Sequence, residues 1–201
     1  MNRSAPLARG TAAFALALAL VLAIGLAGCG AGPRAFAPHA RPATTPTSPQ
    51  DSAMSNERIP GLRAPRAGLL TSGQPDPEAW PRLAADGVRA VINLRPDAEL
   101  DGRDVAVEVA ASGLDYLQIP VAGAGDVTTD KATALWHAMR AVDGLVLVHC
   151  ASGNRVGALM ALAAAEHDGM APEDALAFGR AAGLTSLEPR VRELLGLPAA
   201  E

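Results

Sequence analysis

Leu145-Val146-Leu147-Val148-His149-Cys150-Ala151-Ser152-Gly153-Asn154-Arg155-Val156-Gly157 is the stretch from which the rest of the chain can be read. An apolar strand pattern ends on a His-Cys pair, a short loop containing Gly153 follows, and Arg155 opens a helix. A cysteine at the mouth of a helix meets oriented backbone N–H groups and the positive end of the helix dipole, both of which favour a thiolate. The same N–H groups form a cradle for an oxyanion. Arg155 adds a planar guanidinium able to grip two anion oxygens at once. Nucleophile, cradle and cation fall within six residues, Cys150 to Arg155. The chemistry this suits is phosphate transfer at sulfur, set against the blander reading of a buried, inert thiol.

Working upstream, Gly68 to Ser72 reads as a short strand and Gly73-Gln74-Pro75 as a turn. Pro77 starts a helix through about Ala85, since proline is tolerated at a first helical position. Val88 to Leu94 is a second strand, Arg95 to Gly102 a loop, and Asp104 to Ser112 a helix stopped by Gly113. Tyr116 to Pro120 is a third strand, followed by a Gly-rich loop, Val121 to Thr128. A helix capped by Thr128 or Thr129 then runs to about Val142. Downstream of the cysteine, helices are expected over Arg155 to His167, Pro172 to Ala182 and Glu188 to Leu195. Strands alternating with helices predict an α/β three-layer sandwich, with a mainly parallel central sheet of four to five strands. Ligands in such sheets bind at the carboxyl ends of the strands, where Cys150 lies.

The N-terminus has another character. Arg3 and Arg9 precede an apolar run from Thr11 to Ala27, which reads as a secretory signal and ends Leu26-Ala27-Gly28-Cys29. That tetrapeptide resembles a bacterial lipobox, which implies cleavage before Cys29 and acylation of the new N-terminal cysteine. Residues 1–28 are thus expected to be a lipoprotein signal peptide, and residues 29–61 a lipidated cysteine with a Pro-rich tether. Treated as a flexible coil, the tether reaches roughly 30 Å. Residues 62–201 form one domain, in which Cys150 is the sole thiol. The formal net charge of −4 and 3% aromatic content offer neither a basic patch nor stacking platforms for nucleic acid.

The order of Ser72-Gly73-Gln74-Pro75, Val88 to Pro96, Ile119-Pro120-Val121 and His149 to Gly157 resembles the beta-lactamase-hydrolase-like phosphatase domain (DUF442). This is an atypical branch of the dual-specificity and protein tyrosine phosphatase fold. The resemblance spans about Gly68 to Ala165. It implies a cofactor-free and metal-free mechanism with Cys150 as nucleophile and Arg155 as phosphate clamp. The main-chain amides of Ala151, Ser152, Gly153 and Asn154 would bind the substrate, and His149 would tune the thiol. Four residues separate Cys150 from Arg155, where tyrosine phosphatases have five, and Val156 stands where many dual-specificity enzymes carry a hydroxyl. Slow turnover is one consequence, with Ser152 as a substitute hydroxyl.

In the wider fold the general acid is an aspartate on the loop after the Ile-Pro-Val strand. Asp126 is the candidate, with Asp130 as the alternative at the first turn of the next helix, where an acid is favoured anyway. Arg95 reads equally as an anion recruiter or a solvated charge, and Gln74 and Asn93 as turn and strand-end hydrogen bonders. His39, His137 and His167 show no metal-ligand spacing. Trp80 and Trp136 suit core packing.

The expected activity is hydrolysis of a phosphomonoester, from a protein or a small molecule, through a phosphocysteine. The expected protein is a monomeric lipoprotein of the cell envelope, on the periplasmic face of the outer membrane if the cell has one. A rhodanese-like sulfurtransferase shares the short Cys-x-x-Gly-x-Arg loop and is the enzymic rival. A lipoprotein binding a phosphate or sulfate ligand without turnover is the non-enzymic one.

Overall fold

The ends of four strands lie level, and that alignment builds the site. In a computed structural model the described residues are 59–199. They form β1 (Arg63–Arg66), β2 (Leu69–Ser72), α1 (Trp80–Ala85), β3 (Val88–Asn93), α2 (Val105–Ala111), β4 (Asp115–Gln118), α3 (Thr129–Arg140), β5 (Leu145–His149), α4 (Asn154–His167), α5 (Pro172–Ala181) and α6 (Glu188–Leu195). The five strands make one sheet in the order β1-β2-β5-β3-β4, parallel except for the antiparallel β1. Ser72 is in register with His149, His149 with Asn93, and Asn93 with Gln118. The chain therefore leaves β2, β5, β3 and β4 at a common edge, into the turn at Gly73, the Cys150 loop, the Arg95 loop and the Ile119-Pro120 segment.

Each face of the sheet carries its own core. On one side Ile92, Val146 and Val148 pack with α3, α4 and α5 through Leu135, Leu159 and Leu176. On the other, Val91 and Leu147 pack with Trp80, Leu83, Val105 and Val109 of α1 and α2. The expected three-layer α/β architecture is the one observed. A continuous Val-Ile-Leu run in β3 and β5 is what burial on both faces requires. Helix α4 is buried along Val156–Ala164, and its small residues let α5 approach closely. A Cβ on Gly157 would lie 2.5 Å from the Gly179 carbonyl oxygen.

The strand β1 was not anticipated, because Arg63-Ala64-Pro65-Arg66 lacks an apolar period. As an edge strand it tolerates a proline and charges. Pro77–Ala79 forms a 3₁₀ turn before α1. Asp104 caps α2 by accepting from the Val107 N–H, and Thr128 caps α3 by accepting from that of Lys131. The signal-peptide assignment and tether residues 29–58, with Cys29 and His39, lie outside the described residues. Ile59 to Gly61, expected in the tether, belong to the domain instead: Ile59 is buried in the second core and the Pro60 carbonyl accepts from the Gly73 N–H at 2.7 Å.

Candidate active site

Cys150 is the first residue beyond β5 and is fully buried. Its Sγ accepts a hydrogen bond from the Gly153 N–H at 3.1 Å. Gly153 holds φ +90°, a left-handed conformation that turns the chain from the loop into α4. Asn154 rather than Arg155 begins that helix. The amides of Ala151 and Ser152 bond to no backbone carbonyl among the described residues. Those of the first turn of α4 have no partner within the helix. Ala151 and Ser152 stand exposed at the rim, while Gly153 is buried. The Asn154 side chain turns away from the loop. Its Oδ1 accepts from the N–H groups of Thr185 and Leu187, and its Nδ2 donates to Ser186 Oγ, fastening the α5–α6 connection. Asn154 thus offers the site only its main chain.

Arg155 is held by two acceptors. Nη1 and Nη2 donate to the two oxygens of Glu99 at 2.8 and 2.6 Å, and Nη1 donates also to the Val121 carbonyl at 2.6 Å. These three bonds use both Nη1 protons and one of Nη2. The Nε–H and the second Nη2–H remain, and they form the side-on fork of a guanidinium, which matches two oxygens of an oxyanion. Glu99 holds the Arg155 guanidinium above its ordinary pKa, and the Cys150 sulfur adds to this. In return Arg155 draws the Glu99 carboxyl below the usual carboxylate range.

Arg95 is neither a recruiter nor a solvated charge. Only 13% of its side chain is exposed. Nη1 donates to Gln74 Oε1 at 2.9 Å, Nη2 donates to the Glu99 carbonyl, and Nε lies 3.6 Å from Glu99 Oε2. Arg95 ties the Ser-Gly-Gln-Pro turn to the loop that presents Glu99. The Gln74 N–H in turn donates to the Ala151 carbonyl at 3.3 Å. Gly73 permits that approach, since a Cβ there would stand 2.9 Å from the Ala151 oxygen. Asn93 makes the expected strand-end bonds, donating to Tyr116 Oη at 3.0 Å and accepting from the Arg95 N–H at 2.9 Å.

His149 is fully buried against Trp80, with ring centroids 5.8 Å apart. Burial pushes its pKa down to about 3, so the imidazole is neutral. It lies on the Trp80 face of the sheet, whereas Cys150 packs into the core of the opposite face. Asp126 sits on a 3₁₀ turn of the Val121–Thr128 loop. Its Oδ2 accepts from the Ala122 N–H at 2.8 Å and lies 3.1 Å from Lys131 Nζ. These contacts hold the carboxyl below the ordinary aspartate range. Ala122 follows Val121, whose carbonyl touches Arg155, so Asp126 belongs to the loop that borders the clamp. Asp130 is exposed in the first turn of α3. Val156 is buried in the core. Glu99 was not singled out from the sequence. It lies among Asp97 and Asp101 on a loop, and nothing local marks it as the partner of an arginine 56 residues away.

Comparisons with known proteins bear on the family and the fold. The family described as beta-lactamase hydrolase-like protein, phosphatase-like domain, matches residues 62–167. A beta-lactamase hydrolase-like protein of Xylella fastidiosa is 37% identical over 119 residues, and its counterpart in Agrobacterium fabrum is 33% identical. The matched region takes in 57% of this chain but 27% of those curated relatives, so the likeness spans about a quarter of their length. A crystal structure of a DUF442 phosphatase-type protein from Shewanella putrefaciens aligns with a TM-score of 0.57 at 27% identity, covering 72% of this chain and 92% of that one. TpbA of P. aeruginosa, crystallised with phosphotyrosine, aligns with a TM-score of 0.51 at 19% identity, covering 65% of this chain and 78% of its own.

Proposed function

Because the chain belongs to the family of beta-lactamase hydrolase-like phosphatase domains, we propose that it is a cysteine-dependent phosphatase cleaving phosphomonoesters through a phosphocysteine on Cys150. One observation carries the reading. The Cys150 sulfur and the uncommitted fork of Arg155 border a loop whose first amides have no backbone partner.

Phosphoryl transfer spreads charge over three equatorial oxygens, so positioned donors supply most of the acceleration. The loop amides and Arg155 hold those oxygens. The Cys150 thiolate attacks phosphorus in line, the ester P–O bond breaks, and the departing oxygen takes its electron pair and a proton. Water then attacks the phosphocysteine, the S–P bond breaks, and the thiolate returns. His149, neutral and on the opposite face of the sheet from the sulfur, is assigned to tune the thiol through the Cys150 main chain rather than through a charge.

Asp126 is assigned as the donor of that first proton and the acceptor of the water proton. Its carboxyl is held anionic by Ala122 and Lys131, so donation requires these contacts to open when substrate arrives. Asp126→Asn is expected to slow phenyl phosphate hydrolysis about 100-fold, and p-nitrophenyl phosphate, whose leaving group is acidic, far less. Equal effects on the two esters would remove Asp126 from the role and return attention to Asp130.

The substrate is a phosphorylated protein or small molecule. The phosphotyrosine bound by TpbA supports that class. Lipidation at Cys29 would place the enzyme on an envelope membrane, and acyl labelling lost in Cys29→Ala tests it. The four-residue spacing also favours a second reading, sulfur transfer through a persulfide. Acid-quenched protein carrying phosphate on Cys150, absent in Cys150→Ser, supports the phosphatase. Thiosulfate-to-cyanide transfer without phosphate release would replace it, and ligand binding with neither activity would leave a phosphate-binding lipoprotein.

A further inference from the structure

Three glycines surround one guanidinium beside the Cys loop. Arg63 opens β1 and is half-buried. Its Nη1 donates to the Gly61 carbonyl at 2.6 Å. A Cβ on Gly153 would stand 3.5 Å from that Nη1, and one on Gly183 would stand 3.3 Å away. Gly153 is also the residue whose N–H meets Cys150 Sγ at 3.1 Å. The residue whose amide meets the nucleophile is therefore also a near neighbour of the Arg63 guanidinium, at a distance one methyl group would fill.

Charge bookkeeping separates Arg63 from its neighbours. Arg155 and Arg95 share the Glu99 carboxylate. Among the described residues Arg63 has no acidic partner, and its bond to Gly61 uses one of the five guanidinium N–H groups. A half-buried cation left without a counter-ion raises the positive potential of the cradle and presents a fork for a further oxyanion.

We propose that Arg63 is a second anion contact, selecting phosphomonoesters that carry another oxyanion a few bonds from the ester. This rests on the phosphatase reading above and narrows its substrate class. The test compares p-nitrophenyl phosphate with its ring-carboxylated analogue, using wild type, Arg63→Gln and Arg63→Lys. Arg63→Gln lowers kcat/KM for the carboxylated ester about fivefold more than for the plain one, mainly through KM. Arg63→Lys restores part of the difference, and added salt shrinks it. Equal losses on both esters, or a lowered melting temperature with unchanged selectivity, would make Arg63 a brace for the loop and overturn the proposal while leaving the phosphatase standing. Wild type that hydrolyses neither ester would remove the phosphatase reading and this proposal with it.

Discussion

The two ends of α4 each hold an arginine against a carboxylate, and the two pairs do different work. At the amino end Arg155 binds Glu99 with 11% of its side chain exposed. At the carboxyl end Arg66 binds Asp168 at 2.7 Å with 38% exposed. There Asp168 also accepts from Trp136 Nε1 at 3.0 Å, Trp136 stacks on His167 at 4.7 Å, and the Arg140 guanidinium lies 4.8 Å from the indole centre. A 14-residue helix separates the ends by about 20 Å. At the carboxyl end the polar groups are turned on one another. At the amino end the pair leaves donors over: the fork of Arg155, the loop amides and the guanidinium of Arg63. Arg66 also keeps N–H groups to spare, on an open surface; what sets the amino end apart is that the spare hydrogens of Arg155 border a nucleophile and unpartnered amides.

The sharpest way to break this asymmetry is to remove the fork and keep the charge. Arg155→Lys is expected to lower kcat/KM on p-nitrophenyl phosphate by about 10²–10³-fold, since an ammonium cannot hold two oxygens and two acceptors in one plane. Circular dichroism should show an intact fold, and near-normal rates would end the clamp role.

Glu99→Gln should cost less, about tenfold in kcat/KM. The amide oxygen still accepts one guanidinium proton, but the charge and the second bond are lost. Because the wild-type carboxyl sits below the ordinary glutamate range, the pair is complete above that range and lost only as pH falls through the lowered value. Any acid limb that wild-type kcat/KM shows above the ordinary glutamate range should therefore persist in Glu99→Gln. A limb that disappears would show that Glu99 itself titrates in catalysis.

The amino end was legible because it is contiguous. Strand, nucleophile, loop and helix run from Leu145 to Gly157, and level strand ends follow from parallel βαβ units. The Glu99–Arg155 pair was not legible, since it joins two loops far apart in sequence whose meeting depends on β3 and β5 being neighbours. Arg95 misled for a related reason. A loop arginine looks solvated until Gln74 and Glu99 are known to converge on it. The Asp126 hydrogen bond to the Ala122 N–H is local, yet it needs a 3₁₀ turn that a Gly-rich loop does not announce. His137 and His167 gave no metal spacing and Trp136 suited core packing, and the structure gathers the three rings at the far end of α4.

The smallest effect belongs to that far end. Burial alone would raise the Asp168 pKa, but the hydrogen bonds from Trp136 and Arg66 outweigh it and hold the carboxyl below the ordinary aspartate range. A depressed carboxyl stabilises the fold fully above its unfolded pKa and loses that contribution as pH falls through the folded value. Asp168→Asn should then cost under about 1 kcal/mol at pH 7, as expected for a partly exposed pair. The gap in melting temperature from wild type should persist above the ordinary aspartate range and close as pH falls through the lowered value. Phosphatase activity at neutral pH should match wild type, because no atom of this cluster borders the Cys loop. If Asp168→Asn slows p-nitrophenyl phosphate hydrolysis severalfold while melting normally, the two ends of α4 are coupled, and the division between staple and site fails.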